Sequence, residues 1–230
     1  MYKKGDFHIH STFSDGKCTP RELVILSKKR EVDIISITDH NSTSGLDEAV
    51  MAGENLGVRV IPGVELSTKY NSSRVHVLGY FKDDSYKNEL LVEVLKNVKN
   101  HKISNIKKLL GKNLDFYNTK DKLSVETGIK ILKFFGAAVV LAHPVLLNKS
   151  DFEKIIEMDF DGLEAKYFSN TENDTEYFLK VASDRNLLYT AGSDFHSCKE
   201  FYRIHGIIGD VYLNESEIYN FLIRGKLPYL

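Results

Sequence analysis

Asp6-Phe7-His8-Ile9-His10 puts a histidine at every second position of a short apolar-flanked run near the N-terminus. Side chains alternate along a strand, so His8 and His10 share a face and form a pair suited to a metal ion. A lone His-x-His also arises by chance on wet strands. This one gains weight from the rest of the chain. Asp39-His40, Glu65, His143 and Asp194-Phe195-His196 each close or follow a later apolar run, and Asp15 lies in the loop after the first. His76 is the exception, because it sits early in its run. Six of the eight histidines belong to this set, leaving His101 and His205.

Neutral imidazoles with carboxylates suit Mn²⁺, Zn²⁺ or Fe²⁺. A bridging carboxylate holds two ions about 3.5–4 Å apart, the spacing of hydrolases that activate a shared water against a phosphate ester. No Ser-His-Asp or Cys-His arrangement demands a protein nucleophile. Asp39, directly before His40, reads as a residue that orients a ligand. Were the substrate of such a site a phosphate ester, it would also call for nearby cations. The candidates are Lys166, at the end of the run 162–167, Arg74 beside His76, and Arg203 after the last motif; the bland reading of each is a surface charge. His205 reads either as a general acid or as a satisfied histidine. Asp15-Gly16 is also a turn signal, so Asp15 has a rival reading as a loop residue.

The elements that must position these residues alternate in type. Strands are expected at about 2–10, 32–38, 58–64, 74–81, 137–142, 162–167 and 187–191, with a last one at 204–208. Thr19-Pro20-Arg21-Glu22 opens the first helix with a cap, a proline at the first helical position and a capping box. Further helices are expected at about 45–56, 124–135, 151–158, 171–185 and 216–224. Strand and helix alternate about seven times, which implies a parallel sheet. No glycine-rich dinucleotide fingerprint or Walker-type loop follows any strand. A closed or nearly closed β/α barrel fits, with chemistry at the C-terminal ends of the strands. Residues 83–122 differ, with a lysine-rich helical pattern over 89–112. They read as an excursion from this architecture, not a separate domain, and their lysines as a solvated face, with substrate docking as the alternative.

The 230 residues suit one large α/β domain, and 42% hydrophobic with 27% charged content suits a globular chain with a core. A net charge of −1 gives no global field for nucleic acid or an anionic membrane. Cys18 and Cys198 lack zinc-type spacing and read as free thiols of a reducing compartment. No signal peptide and no bilayer-length apolar run is visible, so a cytoplasmic location is expected.

His8-Ile9-His10, Thr38-Asp39-His40, Gly63-Val64-Glu65, His76, Ala142-His143-Pro144 and Gly192-Ser193-Asp194-Phe195-His196 together resemble the PHP family, the polymerase and histidinol phosphatase superfamily. They occur in the family's order and span nearly the whole chain. The resemblance implies a single PHP domain over 1–230, an α/β distorted (β/α)7 barrel with two or three divalent ions (Mn, Zn or Fe). It implies His8, His10, Glu65 and Asp194 around one metal. Glu65 would bridge to a second held by His76 and His143, and Asp15, His40 and His196 would hold a third. Asp15, where several branches carry histidine, and the phrase Thr-Phe-Ser-Asp-Gly are similar to the branch acting on nucleoside 3′,5′-bisphosphates and short RNA ends. The chain departs from that branch between His76 and His143, where members often carry a larger cap.

The expected activity is therefore metal-dependent hydrolysis of a small phosphomonoester, a nucleotide such as a nucleoside 3′,5′-bisphosphate, by a metal-activated water. The alternatives are a histidinol-phosphate phosphatase, for which a histidine at position 15 would speak, and an exonuclease on nucleic-acid ends. Further off stand an amidohydrolase-like C–N hydrolase, which would want a different ligand order, and an inactive binding module, which would have lost ligands. The expected partner is a small phosphorylated molecule or a short RNA end, with no membrane.

Overall fold

A computed structural model describes residues 2–111, 114, 122–197 and 205–228. Its strands are β1 (Lys4–Ile9), β2 (Ile34–Ile37), β3 (Arg59–Tyr70), β4 (Ser73–Phe81), β5 (Ala137–Leu141), β6 (Gly162–Tyr167), β7 (Leu188–Gly192) and a short β8 (Leu213–Asn214). They form one sheet in the order β7-β6-β5-β4-β3-β2-β1-β8. The sheet curls until its ends meet. Ile9 at the end of β1 bridges Phe195 just past β7, and the His10 amide donates to the Phe195 carbonyl at 2.9 Å. The result is a nearly closed α/β barrel.

The sheet is not parallel throughout. β4 runs antiparallel to both β3 and β5. Tyr70 pairs with Ser73, so only two residues join β3 to β4. A crossover to a parallel strand needs a dozen or more. This corrects the expected uniform alternation, and it removes the anomaly of His76. In a reversed strand, an early residue lies at the same barrel end as the late residues of its parallel neighbours. The expected strand at 204–208 is also absent over its described residues, 205–208. The closing strand is β8, which pairs antiparallel with β1.

Helices α1 (Pro20–Lys29) and α2 (Leu46–Leu56) follow β1 and β2. Thr19 and Glu22 form the capping box at the start of α1, and Gly57 ends α2 in the left-handed conformation that glycine adopts at least cost. The excursion after β4 holds α3 (Glu89–Lys99) and α4 (Ile103–Leu110), and α5 (Val125–Phe134) leads into β5. α6 (Lys149–Ile155), α7 (Glu172–Asp184) and α8 (Glu215–Arg224) complete the set.

Period-two alternation sorts side chains into an outer core under the helices and an inner one in the lumen. The lumen holds Phe7, Ile34, Ile61, Leu78, Tyr80 and Val140, and Ile218, Phe221 and Leu222 of α8 pack against it. Phe7, Tyr80 and Phe221 meet edge to face, with Phe7 and Phe221 centroids 4.7 Å apart. This apolar floor supports the polar rim at the other end. β1 makes a register shift between Asp6 and Ile9. An extra residue in a strand re-aims its side chains, and here Phe7 joins the floor while His8 and His10 join the rim.

Candidate metal centre

Glu65 stands at the middle of the rim and is 1% exposed. Its Oε1 lies 2.9 Å from His76 Nδ1, 3.0 Å from His143 Nε2 and 3.4 Å from His8 Nε2. Its Oε2 lies 2.9 Å from His40 Nδ1 and 3.2 Å from His10 Nε2. One buried carboxylate thus faces five imidazoles, three on one oxygen and two on the other. Asp194, also buried, points Oδ1 at His10 Nε2 (3.1 Å) and His8 Nε2 (3.4 Å). Asp15 reaches in from the first loop, with Oδ1 3.2 Å from His196 Nε2 and Oδ2 3.6 Å from His40 Nε2.

The donor atoms fall into overlapping groups within 4.8 Å of one another: His8, His10 and Asp194; His40, Glu65 and His76; His10, Asp15, His40 and His196; and Asp194, His196 and His205. All nine ligand candidates are therefore brought together, with His143 joined through Glu65.

The donors suit cations better than they suit one another. His40 Nδ1 and His76 Nδ1 are buried and lie 2.9 Å from Glu65 oxygens, yet neither makes a hydrogen bond of acceptable direction. Two ring nitrogens, His8 Nε2 and His10 Nε2, stand 3.1 Å apart. Nitrogens each about 2.1 Å from a common ion approach one another this closely. Imidazole with carboxylate is also the donor chemistry of Mn, Zn and Fe sites.

The metal-free charges respond accordingly. Burial opposes charge on His10, but hydrogen bonds to Asp194 and Glu65 outweigh it and push the imidazole up to about 9. Burial likewise opposes charge on His8, and the Glu164, Glu65 and Asp194 carboxylates raise it well above its ordinary value. Burial would raise Glu65 and Asp194, but the surrounding imidazoles hold both well below the usual carboxylate range.

Residues around the ligands aim them. Asp39 accepts from the Ser11 amide (2.8 Å) and hydroxyl (2.6 Å) and from the Ser14 hydroxyl (2.5 Å), and Ser14 Oγ lies 3.3 Å from His10 Nδ1. Asp39 therefore reaches a ligand through the 11–14 loop. His205 Nδ1 lies 3.2 Å from Asp194 Oδ2, and its ring stacks on His196 at 3.9 Å between centroids. The backbones of His143 (φ 27°), Asp194 (φ 52°) and Asn41 (φ 51°) are left-handed, a strained state that clusters at functional sites.

Two residues of this shell are not evident from the sequence. Glu164 is fully buried, with Oε1 3.0 Å from His8 Nδ1, and Oε2 accepts the His143 amide at 2.8 Å. It holds the His8 proton on Nδ1 and leaves Nε2 for a cation. A Cβ on Gly192 would lie 2.1 Å from Glu164 Oε1 and 2.3 Å from His8 Cβ, so only glycine fits there. Tyr167 donates to Asp194 Oδ2 at 2.8 Å. Burial and then the nearby Asp194 and Glu164 charges raise its phenol, so it stays a donor. The available signal was a lone acid inside the apolar strand Gly162-Leu163-Glu164-Ala165.

The cation candidates fare differently. Lys166 is placed outside the cluster, with its ammonium 2.6 and 2.8 Å from the Glu217 oxygens of α8. A register shift in β6 between Glu164 and Lys166 turns Glu164 and Tyr167 inward and Lys166 away. Arg74 shares a strand face with His76 and lines the same cavity of about 500 Å³, together with His40 and Asp15. Arg203, like Cys198, lies outside the described residues. No described helix is long and apolar enough to cross a membrane.

A barrel of this topology, with its carboxylates and imidazoles gathered at one rim, is built to hold divalent metal ions, as in metal-dependent hydrolases. The chain belongs to the PHP domain family, whose profile matches residues 6–161. A Haemophilus influenzae protein named 5′-3′ exoribonuclease is 26% identical over 85% of this chain and 91% of its own length. A Chromobacterium violaceum 3′,5′-nucleoside bisphosphate phosphatase is 38% identical over 32% of this chain and 26% of its own. A solved Bifidobacterium adolescentis structure, described provisionally as a metal-dependent phosphoesterase, superposes with TM-score 0.76 and 24% identity over 96% of both chains.

Proposed function

We propose that this protein hydrolyses the phosphoester of a nucleotide at two or three divalent ions (Mn, Zn or Fe) held by the nine rim residues. The observation that carries this reading is Glu65, one buried carboxylate shared among five imidazoles on its two oxygens. His8, His10, Glu65 and Asp194 would hold one ion, Glu65, His76 and His143 a second, and Asp15, His40 and His196 a third. Such ions supply Lewis acidity that stabilises charge developing on the phosphoryl oxygens and acidifies the attacking water.

The remaining steps belong to the chain. Arg74 orients the phosphoryl group from the cavity wall as a charge-assisted hydrogen-bond donor. Glu164 and Asp39 fix the directions of His8 and His10. His205 is placed beside Asp194 and His196 to hand a proton to the leaving oxygen. The burial of His8, His10, Glu65 and Asp194 keeps bulk water from that part of the rim and strengthens their interactions.

The favoured substrate is a small nucleotide such as a nucleoside 3′,5′-bisphosphate. The full-length likeness to an exoribonuclease favours a second reading, action at the end of a short RNA. The deciding assay is phosphate release from adenosine 3′,5′-bisphosphate with Mn²⁺, beside histidinol phosphate, a tyrosine phosphate and a 5′-phosphorylated RNA, with His8→Ala as control. Preference for the bisphosphate or the RNA end, abolished by the substitution, supports the nucleotide reading. Metal-loaded protein that leaves all four intact would overturn it.

A further inference from the structure

The barrel closes along an incomplete seam. On the edge of β1 away from β2, β8 pairs with Lys4 and Gly5, and Phe195 bridges Ile9. Between them, among the described residues, no strand pairs with that edge over Asp6, Phe7 and His8. Asp6 fills the gap. Phe7 points into the lumen, so Asp6 points away from it, and it is fully buried. Its Oδ1 accepts from the Ser193 amide at 3.1 Å and from the His8 amide at 3.3 Å, and its Oδ2 accepts from the Gly209 amide at 2.9 Å. Its partner on β2 is Ile35, a side chain that fills the same layer at no such cost. A buried acid is costly unless its lone pairs find donors. Here the donors are backbone amides that the seam leaves over, and a carboxylate, an acceptor on both oxygens, can take all three.

The three amides belong to segments that carry the proposed chemistry. His8 is a ligand candidate. Ser193 precedes Asp194, whose left-handed backbone (φ 52°) persists only where its neighbours hold it. Ser193 is gripped at both ends, its amide by Asp6 and its carbonyl by the Gly206 amide at 2.8 Å. Gly209 lies in the turn that follows His205, closed by the Asp210 amide on the Ile207 carbonyl at 2.8 Å. Its φ of 77°, and a Cβ that would lie 2.6 Å from Val32, favour glycine there. Arg30 pins this turn from outside through the Ile208 carbonyl (2.5 Å) and the Asp210 carboxylate (2.8 Å). The Gly209 amide thus reaches Asp6 from a turn held on both sides.

We propose that Asp6 is a positioning residue of the metal centre: one buried carboxylate ties β1, the exit of β7 and the 207–210 turn together, and so sets the spacing of His8 and Asp194, two ligands of one ion. It works through backbone amides and touches neither metal nor substrate. Coupling between two sites is reciprocal. An ion that fixes His8 and Asp194 must therefore also tighten the bond between Asp6 and Gly209. The inference rests on the rim as a metal site and is independent of the substrate.

The test uses the full chain, stripped of metal, as wild type, Asp6→Asn, Ile131→Val and Leu132→Ala. The last two are buried on α5, which packs on β3, β4 and β5 away from the seam, and they bracket a range of stability losses. Asparagine keeps the shape of Asp6. With its oxygen toward Ser193 and His8, its amide faces the Gly209 N–H; flipped, it loses the other two bonds. The readouts are Tm and calorimetric Mn²⁺ affinity. Asp6→Asn should weaken Mn²⁺ binding by roughly 10-fold or more, while the α5 variants lower Tm and bind Mn²⁺ within about twofold of wild type. A second measurement needs no variant. In wild type, Mn²⁺ should slow deuterium exchange at the Gly209 amide more than at the amides of α5, although no ligand candidate adjoins Gly209. An Asp6→Asn affinity on the trend of affinity against Tm set by the α5 variants, or Gly209 exchange that Mn²⁺ slows no more than α5, overturns the positioning role while leaving the metal centre standing. Wild type that takes up no Mn²⁺ overturns both.

Discussion

Glu65 is 1% exposed and has a ring nitrogen of five histidines within 3.4 Å, whereas Lys99 and His101, in the wall of the cavity that His40 and His76 also line, are exposed, at the end of α3 and in the turn after it. The rim is over-determined. Strands fix its ligands, a floor of aromatic side chains supports them, and buried acids aim them. The wall has none of this support. Sites that tolerate little misplacement are best built on rigid elements, whereas exposed residues of turns and helix ends can change without cost to the barrel. The comparison predicts that rim substitutions act on the reaction itself and wall substitutions do so far less. The largest effect should come from Glu65→Gln. Removing the shared charge should lower kcat by at least ~10³-fold and bound metal by at least one ion per chain, measured by elemental analysis. A variant that keeps its full metal complement and activity would break the contrast.

A smaller effect is expected one layer out. Glu164→Gln keeps the shape beside Gly192 but puts an amide opposite His8 Nδ1, and its nitrogen or oxygen must then face either that ring or the His143 amide. The loss of a ligand's orienting partner typically costs 10–100-fold in metal affinity or activity. A titration of Mn²⁺ against activity should show a raised requirement, partly restored at high metal. If the Mn²⁺ dependence matches wild type, Glu164 is merely a core residue and the aiming role fails.

How much of this was readable from the chain depends on which physical link carries it. The nine rim residues were legible because strand ends and ligand-type residues coincide in the one-dimensional order. Adjacency to His40 suggested that Asp39 orients a ligand, but its hydrogen bonds run to Ser11 and Ser14, and through Ser14 toward His10. The hairpin between β3 and β4 was missed although Asn71-Ser72-Ser73 is a turn-type cluster and Asn71 adopts the left-handed backbone of a tight turn; the early position of His76 was the second hint. In β6 the sequence singled out Lys166 and passed over Glu164 and Tyr167, whereas the structure turns the latter two to the rim. Strict alternation through 162–167 cannot anticipate the register shift in β6, and that shift decides which of them faces the rim. The cavity wall was legible only as an alternative: the lysine-rich helix reads first as a solvated face and second as a docking one, and only the fold brings Lys69, Arg74, Lys99 and Lys122 from three separate stretches to one cavity.

The rim's charge predicts a crossing between metal-free and loaded protein. A histidine raised by the metal-free fold adds stability that is complete below its unfolded value of 6.5 and is lost as pH climbs through about 9, as for His10. Metal needs the neutral imidazole and displaces that proton, so its stabilisation grows over the same window. Glu65 and Asp194 are held low and stay ionised throughout it. The gap in Tm between Mn²⁺-loaded and chelated protein should therefore widen by roughly 5–10 °C from about pH 6.5 to 8.5. A constant or shrinking gap would show that the histidines are not protonated in the metal-free fold.

The smallest effect should come from Lys166, whose position at a strand end suggested a role with phosphate. Its ammonium is 2.6 Å from Glu217 Oε1, and Glu217 also accepts from the Asn214 amide and the Tyr189 hydroxyl. The pair is about a fifth exposed on the lysine side and less on the glutamate side, which puts it between a surface ion pair and a buried one. Lys166→Met should therefore cost about 1 kcal/mol of stability, a fall of roughly 2–4 °C in Tm. kcat/KM should stay within about twofold of wild type, because nothing at the rim loses a partner. A drop of tenfold or more in kcat/KM with Tm unchanged would return Lys166 to the substrate. It would also mean that its bond to Glu217 gives way when a phosphate arrives.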